Sequence, residues 1–195
     1  MKKVAIFVSG NGTNMENLIR AAREGKVPAE IELVISDNPA AGAIAKAEQY
    51  GVKVRIVERK NFASKQEFED EITWYLQENK IDFVALAGFM KILSPEFVKR
   101  YWGRIVNVHP AYLPHFPGAH AIKEAFEAKV AETGVTVHFV DAGVDTGPVI
   151  LQRKVPVHPD DTVEELETRV HAAEYEIYPE ALKLVLEGKV NLRKV

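Results

Sequence analysis

The chain has 195 residues, of which 28 are acidic and 25 basic, for a net charge of −3; 47% are hydrophobic and 27% charged. That length reads as one domain, and the composition excludes disordered, collagen-like and generally basic nucleic-acid-binding chains. With no cysteine, disulfides, thiolate nucleophiles, iron–sulfur clusters and sulfur-ligated zinc are also excluded. The charged opening Met1-Lys2-Lys3 leads into an apolar run too short for a signal peptide. No apolar stretch reaches the ~20 residues of a membrane helix. The expectation is a cytoplasmic protein with no membrane and no nucleic-acid partner.

In chain order, Val4 to Val8 is a continuous apolar run that reads as a strand, broken by Gly10 and Gly12. Asn14 to Arg23 has helical spacing. Ile31 to Ile35 is a second strand, stopped by Asp37-Asn38-Pro39. Ala40 to Tyr50 is a helix closed by Gly51, and Val52 to Val57 a third strand. Lys65 to Asn79 carries helical spacing at Phe68, Ile72, Tyr75 and Leu76. Phe83 to Ala87 is a wholly apolar fourth strand. Strands alternating with helices imply a parallel sheet, and continuous apolar strands imply burial on both faces. The first half is therefore a Rossmann-like α/β layer sandwich.

The second half changes character. Ser94-Pro95-Glu96 starts a short helix, with Ser94 as cap and Pro95 in its first position. Ile105 to Val108 is a brief strand. Pro110, Pro114, Pro117 and Gly118 mark a stiffened loop, and Ala121 to Lys129 a helix. Val135 to Val140 and Val149 to Val157 are joined too closely for a parallel return, so they form an antiparallel hairpin. Thr162 to Leu186 is a long amphipathic pattern that Pro179 is expected to interrupt. No repeat, low-complexity tract or linker appears, so residues 1–195 read as one domain.

Three segments carry chemistry. Ser9-Gly10-Asn11-Gly12-Thr13-Asn14 lies between the first strand and the first helix, where free N–H groups and the helix dipole favour a phosphate. Thr13 and Glu16 have capping-box spacing. Met15 replaces the third glycine of a dinucleotide fingerprint, and no Gly-Lys-Thr of a P-loop is present. A phosphate monoester fits better than NAD or ATP; a ligand-free strand–helix turn is the plain alternative. Asn107 and His109 leave a strand end on the same face. Together they place an amide and an imidazole where a carbonyl under attack needs hydrogen-bond donors. In Asp141-Ala142-Gly143-Val144-Asp145-Thr146-Gly147-Pro148, a carboxylate near His109 would favour its charged form. Taken singly, a strand-end histidine and an Asp-Gly turn are more often structural. His109, His115 and His120 match no zinc spacing, and no metal is expected. The single Asp145-Thr146-Gly147 lacks the second carboxylate of an aspartic protease.

Jointly these segments resemble the phosphoribosylglycinamide formyltransferase family. The resemblance rests on Ser9 to Asn14, Ala87-Gly88-Phe89-Met90-Lys91-Ile92-Leu93, Asn107-Val108-His109-Pro110, Phe116-Pro117-Gly118, Val135-Thr136-Val137-His138-Phe139-Val140-Asp141 and Asp145-Thr146-Gly147-Pro148. They occur in the family's order along nearly the whole chain. The resemblance implies a seven-stranded, mostly parallel sheet with an antiparallel edge. It implies transfer of formyl from 10-formyltetrahydrofolate, a co-substrate, to the amine of glycinamide ribonucleotide in purine synthesis. Formyltetrahydrofolate deformylase, or another enzyme of this fold, is the alternative. By matching position, Asn107, His109 and Asp145 are the catalytic trio. Gly12, Thr13 and Asn14 hold the phosphate, and His171, Ala172, Ala173 and Glu174 meet the same substrate. Lys65, Met90, Lys91, Ile92, Leu93, Asp141, Ala142, Gly143 and Val144, with Asn107 and Asp145, contact the folate. Ala111 stands where the family often has serine, and Lys65 and His171 fall at positions of variable type. The family implies a monomer or homodimer acting on small molecules.

Overall fold

The computed structural model describes residues 1–192. In chain order the elements are β1 (Lys2–Val8), α1 (Thr13–Arg23), β2 (Ala29–Ser36), α2 (Gly42–Gln49), β3 (Lys53–Ile56) and α3 (Lys65–Glu78). They continue with β4 (Phe83–Leu86), α4 (Pro95–Arg100), β5 (Ile105–His109), α5 (Ala121–Glu127), β6 (Glu132–Phe139), β7 (Val149–Pro156) and α6 (Val163–Leu186). A 3₁₀ turn, Arg59–Asn61, precedes α3. The strands form one sheet in the order β3-β2-β1-β4-β5-β6-β7. β1 to β5 pair in parallel, while β6 runs antiparallel to both β5 and β7.

The apolar runs explain the layers. Successive strand side chains point to opposite faces. Val4, Ile6 and Val8 of β1 therefore join the cluster under α1 and α6, with Met15, Leu18, Ile19, Val170, Ile177 and Leu182. Ala5 and Phe7 face the opposite cluster, with Phe68, Ile72 and Leu76 of α3 and Phe97 and Val98 of α4. Ser94 caps α4 by accepting the Phe97 N–H, with Pro95 in the first turn. Ser94 is itself gripped by the buried Glu69 of α3, whose carboxylate accepts both its N–H, at 2.7 Å, and its hydroxyl.

Pro179 does not interrupt α6, which runs unbroken for 24 residues. A proline lacks the N–H that would bond the carbonyl four residues earlier. That carbonyl belongs to Tyr175, and it accepts Asn17 Nδ2 of α1 at 2.8 Å instead. One residue earlier, the buried Tyr178 hydroxyl donates to Leu86 O of β4 at 2.8 Å. Burial, with a smaller contribution from Glu174, raises the Tyr178 phenol well above its ordinary pKa, so it serves as a neutral donor.

Strand order sets the position of the functional region. From β1 the chain winds one way to β2 and β3, then returns to β1's other side for β4 and β5. Ligands of open α/β sheets bind outside the carboxyl ends of strands at such a reversal. The glycine loop follows β1, and Gly88 to Leu93 follows β4, so both flank this point.

Candidate active site

A cleft of about 520 Å³ opens at the reversal, within the usual range for small-molecule sites. It is lined by Gly10 to Asn14, by Gly88 to Leu93, by Asn107 and His109 from β5, by Asp141 and Gly143 to Asp145, and by His171 and Glu174 from α6.

Gly12 is the N-cap of α1, in the left-handed conformation at φ 73°, and no side chain caps the helix. The expected Thr13–Glu16 capping box is absent, because Thr13 already lies inside the helix. Glu16 turns to α2 instead, 3.5 Å from Lys46 and 3.2 Å from the Tyr50 hydroxyl. The first N–H groups of α1 therefore face the cleft without a side-chain acceptor, an arrangement suited to an anion. Gly12 is also required by packing, since a Cβ there would sit 2.5 Å from the Ala43 Cβ of α2.

On the far side of this loop, the buried Glu174 carboxylate accepts Asn14 Nδ2 at 2.9 Å and meets His171 Nδ1 at 2.8 Å. The hydrogen bond to Glu174 raises the His171 pKa against the opposing effect of burial. Asn14 Oδ1 is buried and has no partner. The middle of α6 thus offers a carboxylate and an imidazole beside the glycine loop, and Asn14 of α1 adds an open acceptor.

Asn107, His109 and Asp145 converge. His109 Nδ1 lies 3.4 Å from Asp145 Oδ2, and Asp145 Oδ2 accepts the Gly118 N–H at 2.8 Å. His109 Nε2 lies 2.8 Å from the Phe116 carbonyl. A carbonyl only accepts, so Nε2 is the donor there, and Nδ1 faces the carboxylate of Asp145. Both ring nitrogens thus face acceptors. Burial, the largest single influence on Asp145, pushes its carboxyl up. His138, the Gly118 N–H and the charge of His109 together outweigh burial and hold the carboxyl below its ordinary range. The two residues that bracket His109 from the loops, Phe116 and Asp145, have φ of 52° and 54°. Non-glycine residues in this region cluster at functional sites.

His138 was not among the residues expected from sequence. It lies opposite Asn107 in the β5–β6 register. Its Nδ1 lies 2.8 Å from the Phe139 carbonyl, and its Nε2 faces both the Asn107 amide nitrogen, at 3.3 Å, and Asp145 Oδ1, at 3.7 Å. This contact fixes the amide so that its second N–H is left for the cleft. The sequence signal was its place in the alternation of β6, but the pairing with Asn107 is a property of the register.

The two carboxylates of the Asp turn divide their roles. Asp141 Oδ1 accepts the Gly143 N–H at 3.0 Å and the Thr146 hydroxyl at 2.7 Å, closing the turn that presents Asp145. Met90, Ile92 and Val144 are large apolar side chains exposed along the cleft lip. Lys65, Ala142, Ala172 and Ala173 are not among the lining residues. Lys65 is exposed in the first turn of α3, Ala142 is exposed in the turn and Ala172 on α6, and Ala173 is buried in the core. His115 and His120 are exposed, and no group of three or more potential metal ligands gathers among the described residues.

The chain is similar to known proteins over nearly its whole length. A family model described as formyl transferase matches residues 2–182. The phosphoribosylglycinamide formyltransferase of Haemophilus influenzae is 43% identical over 193 residues, covering 99% of this chain and 91% of that protein. The trifunctional purine biosynthetic protein adenosine-3 of Homo sapiens is 45% identical over 97% of this chain, which spans 19% of that longer protein. The crystal structure of glycinamide ribonucleotide transformylase 1 from Symbiobacterium toebii superposes with a TM-score of 0.96 at 39% identity, covering 99% of this chain and 91% of that one.

Proposed function

Since the chain belongs to the formyl transferase family, we propose that it transfers the formyl group of 10-formyltetrahydrofolate to the amine of glycinamide ribonucleotide, in purine biosynthesis. One observation carries this reading. A single cleft joins an uncapped helix start, suited to a phosphate, to an amide–imidazole–carboxylate trio, suited to a carbonyl under attack. The apolar lip of Met90, Ile92 and Val144 offers a surface for a flat ring system. Asp141, Gly143 and Lys91 add polar groups at its edges.

The chemistry follows from the donors. The substrate amine attacks the formyl carbon, and the carbonyl oxygen takes up negative charge. The free N–H of Asn107 donates to that oxygen, and the ring of His109, its Nδ1–H turned to Asp145, places positive charge beside it. Preorganised donors in a partly closed site stabilise such charge by a few kcal/mol each. Asp145 keeps the imidazole oriented and charged, and water beside its carboxylate passes a proton from the new ammonium towards the departing folate nitrogen. The carbon–nitrogen bond to the folate then breaks, giving the formylated nucleotide and tetrahydrofolate. The His109–Asp145 separation of 3.4 Å is looser than a tight hydrogen bond, as expected of catalytic contacts before substrates close the site.

The test is an assay with both substrates that follows the folate absorbance and the formylated nucleotide together. Stoichiometric formation of both products supports the reading. Absence of formyl transfer by the folded protein would overturn it.

A further inference from the structure

Behind the cleft lip lies a polar network that the transfer chemistry does not use. Asp37, just past β2, has a side chain only 6% exposed and addresses two loops at once. Its Oδ1 accepts the Ser9 hydroxyl at 2.5 Å, and its Oδ2 lies 3.6 Å from Lys91 Nζ. The Ser9 oxygen in turn accepts the Met90 N–H at 2.8 Å. Ser9 begins the glycine loop, and its own N–H donates to Gly88 O at 3.2 Å. The neighbouring Asn38 Nδ2 donates to Ser9 O at 3.1 Å. Met90 and Lys91 belong to the opposite wall of the cleft, where Met90 is 65% and Ile92 62% exposed.

A carboxylate withdrawn from water is costly unless it is paired and hydrogen-bonded. Asp37 meets that requirement with one partner from each substrate loop. The exposed lip is therefore held at Met90 through a hydroxyl whose orientation Asp37 sets, and that hydroxyl belongs to the loop that would grip the phosphate.

We propose that Asp37 is a positioning residue that couples the two halves of the cleft, so that nucleotide and folate each bind more tightly when the other is present. The inference rests on the two-substrate reading above. A phosphate held at Gly10 to Asn14 immobilises Ser9, Ser9 immobilises Met90, and the lip is ordered before the folate arrives. A second ligand that finds its site already ordered loses less conformational entropy. The coupling is reciprocal by linkage.

Calorimetry with glycinamide ribonucleotide and tetrahydrofolate, which carries no formyl group and cannot react, tests this. In the wild-type protein, saturating nucleotide should lower the tetrahydrofolate Kd about fivefold or more, and saturating tetrahydrofolate should lower the nucleotide Kd by the same factor. In Asp37→Ala both ligands should still bind, with the factor falling to about one. Asp37→Asn keeps an acceptor for the Ser9 hydroxyl and should retain most of the coupling. Ser9→Ala, which leaves the Asp37–Lys91 pair in place, should lose it. Circular dichroism establishes that each variant is folded; if Asp37→Ala is not, the Asp37→Asn and Ser9→Ala pair decides. Wild-type coupling in Asp37→Ala or Ser9→Ala, or no coupling in the wild type with both ligands bound, overturns the proposal alone. Failure of the wild type to bind either ligand overturns the two-substrate reading, and this inference with it.

Discussion

Asp145 and the glycines of the first loop show how much chemistry single residues carry. Asp145→Asn keeps the shape but removes the charge opposite His109 Nδ1. Activity should fall by on the order of 10² to 10⁴, the span of a lost acid–base contribution, while the fold survives; steady-state rates beside a thermal melt measure both. The same substitution has a consequence in acid. The folded-state pKa of Asp145 lies below its ordinary value. Its ionised form therefore contributes stability above the unfolded pKa of about 3.9, and that contribution is lost as pH falls through the lower folded value. Asp145→Asn should remove that part of the acid-unfolding limb, read by denaturation at stepped pH. Gly10 and Gly12 separate ligand approach from packing. A Cβ at Gly10 meets nothing within 4 Å, whereas at Gly12 it meets α2 at 2.5 Å with φ at +73°. Gly12→Val should lose on the order of 2–5 kcal/mol of stability from left-handed strain and overpacking. Gly10→Val should keep its melting temperature but weaken nucleotide binding about tenfold, the equivalent of one hydrogen bond of ~1.4 kcal/mol. Unchanged nucleotide affinity in folded Gly10→Val would remove this loop from the phosphate site.

α6 shows the limit of local pattern. Its amphipathic spacing was legible from Thr162 to Leu186, yet Pro179 reads as a break because the remedy is Asn17, 158 residues before the Tyr175 carbonyl that it serves. Asn17→Ala should cost about 1–2 kcal/mol by leaving a part-buried carbonyl without a partner. In a Pro179→Ala background the restored N–H takes over Tyr175 O, and the same substitution should cost much less. Urea denaturation of the four proteins measures the difference; additive costs would mean that Asn17 does not replace the missing helix bond. Other elements divide along the same line. β1 and β4 were legible because burial on both faces writes them as continuous apolar runs, whereas the edge strand β3 is largely exposed and shows as alternation. β6 begins at Glu132 rather than Val135 because Glu132, Thr133 and Gly134 pair with Pro156, Val155 and Lys154 of β7, a partnership hydrophobicity does not record. The cap of α1 was misplaced because a capping box is a statement about one residue, and the chain starts the helix with Gly12 in the left-handed region. That Asn107 and His109 share a face was legible because they sit two apart on one strand, while their grouping with Asp145 came from the family resemblance. His138 was not legible, because its meaning comes from a register with a residue 31 positions away.

On the scale of the whole molecule, the reversal of strand order turns scattered loops into one reaction vessel. The loops after β1 and β4 diverge at that point, the end of β5 supplies Asn107 and His109, and the β6–β7 turn folds Asp145 over them. On the proposed reading the glycine loop stands apart from the trio, so a grip on phosphate there would contribute to rate only by holding the amine against the formyl carbon. Binding energy from a remote part of a substrate is expressed in this way as lost rotational and translational freedom. Two outcomes are expected. First, consumption of 10-formyltetrahydrofolate should require the nucleotide, because a water has no phosphate by which the glycine loop could hold it against the formyl carbon. Second, glycinamide riboside, which keeps the amine but lacks the phosphate, should react with kcat/KM lower by on the order of 10³, with part of the loss in kcat rather than all in KM. The measurement is the folate absorbance with nucleotide, with riboside and with neither, alongside a formate assay. Rapid formate release with neither would make the cleft a hydrolase site. Equal rates with nucleotide and riboside would mean that the uncapped start of α1 anchors nothing.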